Sequence, residues 1–158
     1  MATKRQTSKR KAPKKAVKRP AAKKAAKRGQ PESFRARGVS SSLTVNDLER
    51  SIAWYRDVLG FTLKDRWEEG GKLIGVELVA GSASIMLNQD DFAKGRDRKK
   101  GIGLRIWLST VQDVDALAAG IKARGGMLDQ EPRDMPWGAR AFSISDPDGF
   151  KYNVMQGE

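Results

Sequence analysis

The chain has 158 residues, with 31 Lys and Arg against 19 Asp and Glu, a formal net charge of +12, and neither Cys nor His. Without cysteine it has no disulfide framework, thiolate nucleophile or Cys-type zinc site, and without histidine it lacks the commonest metal ligand and the commonest general base near neutral pH. No run of about 18 apolar residues and no secretory-type apolar N-terminus is present, which predicts an intracellular, cytoplasmic protein without membrane insertion.

The charge is divided unevenly. Residues 1–37 hold 15 of the 31 basic residues and one acid, Glu32, whereas the rest has 16 basic and 18 acidic residues. The segment "KRQTSKRKAPKKAVKRPAAKKAAKRGQP" has almost no apolar surface to offset chain entropy, so it is predicted to be a disordered tail when free. Its composition resembles the lysine-rich tails of linker histones and histone-like bacterial proteins. Each cation that neutralises a phosphate releases a condensed counterion, which gives salt-dependent, sequence-independent affinity for nucleic acid. Lys14, Lys15, Lys18, Arg19, Lys23, Lys24, Lys27 and Arg28 are the candidates for that contact, which predicts a protein associated with the nucleoid in a bacterium or located in the nucleus in a eukaryote. No aromatic side chain interleaves these charges, so base stacking is not expected from them. "KRPAAKKAAKR" also resembles a bipartite nuclear import signal, and an anionic membrane surface or another polyanion is an alternative partner. Residues 29–38, "GQPESFRARG", read as a linker; 38–158 form the single globular domain.

From Val39 the pattern becomes that of ordered structure. "VSSSLTV" predicts a strand, and "NDLERSIAWYRDVLG" an amphipathic helix with Asn46 as cap, Glu49 three residues on, apolar contacts at Leu48, Ile52, Tyr55 and Leu59, and a stop at Gly60. "FTLKDRW", "KLIGVELVA" and "ASIMLNQ" predict three strands, the last two joined at Gly81-Ser82. "DFAKGRDRKKG", 91–101, is a charged connection, either simply solvated or an addition to the basic tail. The order then repeats: "GLRIWLS" as a strand, "TVQDVDALAAGIKARG" as a helix capped by Thr110, and "GMLDQ", "RAFSIS" and "FKYNVMQ" as strands. Asp47 and Asp113 are 66 residues apart, as are Gly60 and Gly126. Two tandem βαβββ modules are the economical reading: an α+β domain with helices on one side and a concave sheet cradle on the other.

"LTVNDLERSIAWYRDVLGF", "DVDALAAGIKARGG" and "DPDGFKYNV" resemble, in order and spacing, the motifs of the vicinal oxygen chelate superfamily, which includes glyoxalase I, extradiol dioxygenases and bleomycin-resistance proteins. The resemblance covers roughly residues 39–156. Metal-using members carry His or Glu on four cradle strands. At the matching positions this chain has Ser40, Met86, Arg105 (Ile106 if the register slips by one) and Asn153. A hydroxyl, a thioether, a cation and a carboxamide do not make a ligand set for a divalent metal, so neither metal nor other cofactor is expected.

Strand alternation places Ser40, Ser42, Thr44, Ser84, Met86, Asn88, Arg105, Trp107, Ser109, Lys151, Asn153 and Met155 on the cradle side. Such a mixed surface suits a small molecule. Arg105 can pair with an anion, Trp107 can stack on a ring, and Asn153 can fix a carbonyl or amide. Arg105 neutralising Glu77 inside the cradle, with Trp107 and Met86 as filler, is the alternative. Trp137 and Arg140, in a loop that often closes the cradle in this family, are further ligand-binding candidates. The resemblance also implies a homodimer, because cradles in the family are often completed across a two-fold axis. Bleomycin-resistance members bind a cationic drug, and Arg105 and Lys151 have the wrong sign for that ligand.

The function expected is therefore a metal-free small-molecule-binding protein of glyoxalase/bleomycin-resistance type, tethered to nucleic acid by its tail. Two alternatives stand beside it. One is a glyoxalase- or dioxygenase-like enzyme without a family-type metal site, with Glu77 as a desolvated base; the other is a nucleoid or chromatin protein whose domain only dimerises. No catalytic residue is nominated.

Overall fold

The computed structural model describes residues 38–157. The proposed tail over 1–37 and all eight of its nucleic-acid candidates lie outside the described residues. The described residues belong to one compact unit.

The first repeat runs β1 (Ser41–Val45), α1 (Leu48–Trp54), β2 (Thr62–Glu69), β3 (Lys72–Ala80) and β4 (Ala83–Gln89). The second runs β5 (Arg105–Thr110), α2 (Val114–Ala123), β6 (Leu128–Asp134), β7 (Arg140–Ser145) and β8 (Lys151–Gln156). Each repeat makes a four-stranded sheet of the same order, β1-β4-β3-β2 and β5-β8-β7-β6. In both, the first strand pairs in parallel with the fourth and the other pairs are antiparallel. The α+β fold of two tandem βαβββ modules predicted from the repeat is present.

The helix starts differ from the sequence reading. Asp47, not Asn46, caps α1: its backbone is extended and its carboxylate accepts from the Arg50 amide at 3.0 Å. Asn46 lies before the helix, its backbone amide donating to Asp148 Oδ1 at 3.1 Å and its carbonyl accepting from Gln89 Nε2 at 2.9 Å. Likewise Asp113, not Thr110, caps α2, accepting from the amides of Asp115 and Ala116. Thr110 ends β5, and its hydroxyl accepts from the Gln112 amide. A short acidic side chain just before the first free amides satisfies them directly and favours the helix dipole.

After Trp54, α1 widens into a π-helical turn, Tyr55–Leu59, and stops at Gly60 with φ 81°. Only a residue without Cβ takes that left-handed conformation cheaply. The turn keeps Tyr55 fully buried, its hydroxyl within 2.8 Å of both Asp146 Oδ2 and the Tyr152 hydroxyl in the second repeat.

One apolar core serves both repeats. Leu43, Val45, Val76, Leu78, Ile85 and Leu87 from the first sheet and Ile106, Phe142, Ile144, Tyr152 and Val154 from the second join Ile52, Tyr55, Ala118 and Ile121 of the helical segments. With one face of each sheet packed on this core, the alternate residues of the same strands form the opposite, cradle face.

Candidate functional site

The strand registers order the cradle side chains into rows. In the first sheet, Ser42, Met86, Glu77 and Asp65 are successive neighbours, followed by Thr44, Asn88, Gly75 and Trp67. In the second sheet, Arg105, Lys151 and Ser145 form one row, and Trp107, Asn153, Ser143 and Gln130 the next. Arg105 rather than Ile106 belongs to the cradle, since Ile106 is 8% exposed and part of the core.

The four positions at which the resemblance puts metal ligands lie on this face with no donor set for a metal. The Ser40 hydroxyl is hydrogen bonded to that of Ser84. Met86 brings a thioether, Arg105 a cation and Asn153 an amide. Among the described residues no three carboxylates gather in a ligating cluster. The carboxylate beside Met86, Glu77, is bound by Lys64 Nζ at 2.9 Å, which holds its pKa below the usual range. These residues do not fit a family-type metal centre. A carboxylate held ionised by an ammonium is also a weak proton acceptor, so the desolvated base imagined for Glu77 is not formed.

Arg105 does not neutralise Glu77, contrary to the alternative drawn from sequence. Its guanidinium donates to the adjacent Leu104 carbonyl at 3.2 Å, and Glu77 has Lys64 instead. A bulge between Leu63 and Asp65 in β2 supplies that lysine.

Arg140 belongs to the other side of its sheet. It shares its strand face with Phe142 and Ile144, and its guanidinium reaches Asp115 at the start of α2 at 2.5 Å and Asp134 at 3.0 Å. Those bonds raise its pKa and hold Asp115 below the usual range. Its strand position and two acidic partners turn its guanidinium away from the cradle rows, although the residue also lines a cleft beside Trp137.

Trp137 sits in a tight turn, where the Gly138 amide donates to Met135 at 2.9 Å and the Met135 amide to Ala139 at 2.7 Å. The turn folds the indole back to Trp107, with ring centroids 6.1 Å apart at an interplanar angle of 63°. Beside it a cleft of about 550 Å³ is lined by Trp137, Gly138, Ala139, Arg140, Met155 and Gln156.

One cradle residue escaped the sequence reading. Trp67 lies over Gly75, where an added Cβ would come within 2.9 Å of its Cε3 and 3.0 Å of Asn88 Oδ1. Glycine in the neighbouring strand leaves the room in which the indole lies on the sheet. Trp67, Trp107 and Trp137 are 37%, 49% and 59% exposed, so three of the four tryptophans in the chain offer aromatic surface to solvent.

Residues 38–154 match the Glyoxalase/Bleomycin resistance protein/Dioxygenase superfamily. The chain belongs to that superfamily. It is 29% identical over 120 residues to the "Probable lactoylglutathione lyase" of Synechocystis, covering 72% of this chain and 90% of that one. It is also 29% identical over 118 residues to "Lactoylglutathione lyase GLX1" of Arabidopsis thaliana, covering 71% of this chain but only 41% of that relative's length. Among solved structures, a superfamily member from Sphaerobacter thermophilus aligns with a TM-score of 0.64 and 27% identity, over 78% of this chain and 98% of that one. TioX from Micromonospora aligns with a TM-score of 0.63 and 22% identity, over 77% of this chain and 98% of that one, a likeness of fold. The superfamily places the two sheets in a known frame; the side chains on the cradle rows are this chain's own.

Proposed function

We propose that the protein is a metal-free small-molecule binder of glyoxalase/bleomycin-resistance type, joined to nucleic acid by its basic N-terminal segment. The observation that supports the reading is the pairing of a superfamily fold with a cradle face in which Ser40, Met86, Arg105 and Asn153, the positions the sequence resemblance assigns to metal ligands, bring no carboxylate or imidazole. Exposed tryptophans and convergent polar groups on the same face support binding rather than acid-base chemistry. The name lactoylglutathione lyase borne by its relatives argues for an enzyme, but the described residues offer neither a ligand set nor an unpaired carboxylate beside Met86.

A homodimer is part of this proposal. All eight residues of β2 are exposed, and Arg105, Trp107 and Lys151 of the second sheet are exposed as well. A second copy would cover them, and two basic segments on one particle would raise the effective concentration along a polyanion. No helix among the described residues is long and apolar enough to cross a membrane.

The test is a DNA titration across salt of the full chain and of a chain beginning at Gly38, with metal analysis of both samples. The proposal expects steeply salt-dependent binding that is lost with the first 37 residues, and no stoichiometric divalent ion. Equal DNA binding by the shorter chain overturns the tether, and a bound divalent ion overturns the metal-free site.

A further inference from the structure

We infer that the second-repeat half of the cradle takes a planar aromatic anion, with its ring on Trp107 and its acid group between Arg105 and Lys151. This names a ligand class for the small-molecule reading above and rests on that reading.

Charge supplies the first argument. Arg105 and Lys151 are directly opposite one another in the parallel β5–β8 pair, both on the cradle side and both exposed. Like charges facing each other across a ladder are unfavourable. Neither has an ion-pair partner among the described residues, whereas Lys64, the cation beside Glu77 in the first sheet's cradle, is paired. The carboxylate that reaches this row, Asp129, accepts from Ser145 Oγ at 2.6 Å. Two adjoining cations left without a carboxylate make a place for an anion, and Arg105 brings a planar fork suited to a carboxylate.

The adjacent row supplies the second. Trp107 lies two residues beyond Arg105, about 7 Å along the strand, opposite Asn153. Trp137 meets its ring edge to face, which restrains the indole while leaving about half of Trp107 in solvent. A restrained, half-exposed indole one pleat from an unpaired cation pair matches the shape of an aromatic acid, with the acid group on one row and the ring on the next. Asn153 and Ser143 can hydrogen bond to ring substituents from the floor of the same row.

Calorimetric titration of the full chain at near-physiological salt tests the inference with four probes: 2-naphthoate, its neutral amide, cyclohexanecarboxylate and a naphthyl trimethylammonium salt. The first should bind at least about tenfold more tightly than each of the others, because only it satisfies both rows. Arg105→Gln should weaken 2-naphthoate about tenfold and leave the amide unchanged; Trp107→Leu should weaken both. Both side chains are exposed, so unchanged thermal midpoints will show that the variants fold. Naphthoate binding indifferent to both substitutions overturns the inference and assigns the binding to basic residues elsewhere. Equal or tighter binding of the amide, the aliphatic acid or the ammonium salt overturns the ligand class while leaving small-molecule binding intact. Failure of all four probes overturns the class, and failure of a broad fragment screen as well removes the small-molecule reading beneath it.

Discussion

Arg124 donates two hydrogen bonds, of 3.0 and 2.9 Å, to the carbonyl of Val58, the residue 66 positions earlier that has the equivalent place in the first repeat. Val58 lies in the π-helical turn, and Gly126 follows so closely that an added Cβ would stand 2.7 Å from Val58 Cγ1. The ends of the two helical segments are therefore locked together at corresponding points. Removing the guanidinium leaves a partly buried carbonyl without its partners, so Arg124→Ala should cost about 1–3 kcal/mol in urea unfolding. Arg124→Lys should recover only part of this because an ammonium lacks the two-pronged geometry. A neutral Arg124→Ala would show that this contact does not help to hold the repeats together.

The chain has two tyrosines, and they touch: Tyr55 and Tyr152 share a 2.8 Å hydrogen bond in the core, with Asp146 against Tyr55. Burial raises the pKa of both phenols, Tyr55 more because Tyr152 and Asp146 also oppose its ionisation. Above an unfolded value of about 10 the unfolded chain releases protons that the folded chain keeps, so stability falls as pH rises. Phenolate absorbance should consequently appear only together with loss of circular dichroism in an alkaline titration. Ionisation of either tyrosine in the folded chain would contradict this placement. Tyr55→Phe, which strands Asp146 and Tyr152, should destabilise by about 1–3 kcal/mol in urea unfolding.

Asp90 governs the connection between the repeats. Its carboxylate accepts from Lys100 Nζ at 2.5 Å, Arg98 Nη2 at 2.8 Å and the Phe92 amide at 2.8 Å. The bond to Lys100 is the principal cause holding its pKa well below the usual carboxylate range, aided by the Phe92 amide and Arg98. Its contribution to stability is thus present above an unfolded value of about 4 and is lost as pH falls toward the lower folded value. Thermal midpoints measured on acidification should show a loss that is smaller in Asp90→Asn, a variant already several degrees less stable at neutral pH. Parallel acid profiles for the two chains would remove Asp90 from this role. The same contacts use Arg98 and Lys100, two of the cations that the sequence alone could assign to nucleic acid.

Gly75→Ala tests the position of Trp67. The new methyl group would meet Trp67 Cε3 at 2.9 Å and the Leu87 carbonyl at 3.0 Å, so the indole must lift from the sheet. The expected outcomes are a red-shifted tryptophan emission and a loss of about 1–3 kcal/mol in urea unfolding. An unchanged spectrum would mean that Trp67 does not rest on Gly75.

The fold was legible because the repeated βαβββ pattern is written in apolar alternation: β3, β4 and β7 begin and end where that pattern does. The caps were less so, since Asn46 and Thr110 have the right side chains but stand ahead of Asp47 and Asp113, whose carboxylates take the first helix amides. Trp67 was hidden by the bulge at Lys64. Leu63 pairs with core-facing Leu78, yet Asp65 pairs with Glu77 on the cradle side, so the extra residue reverses the alternation before Trp67. Arg140 could have been placed by its parity with Phe142 and Ile144; its loop context pointed the other way.

The central claim is that the cradle binds a small molecule without metal. Its most direct test is the set of four tryptophan indole resonances of the full chain, recorded with a chelator present while a fragment library is added. The account predicts ligand-dependent shifts of the Trp107 and Trp137 signals, assigned by substitution, with Trp54 unmoved. Shifts that appear only after a divalent ion is supplied, or binding that leaves Trp107 and Trp137 undisturbed, would contradict it.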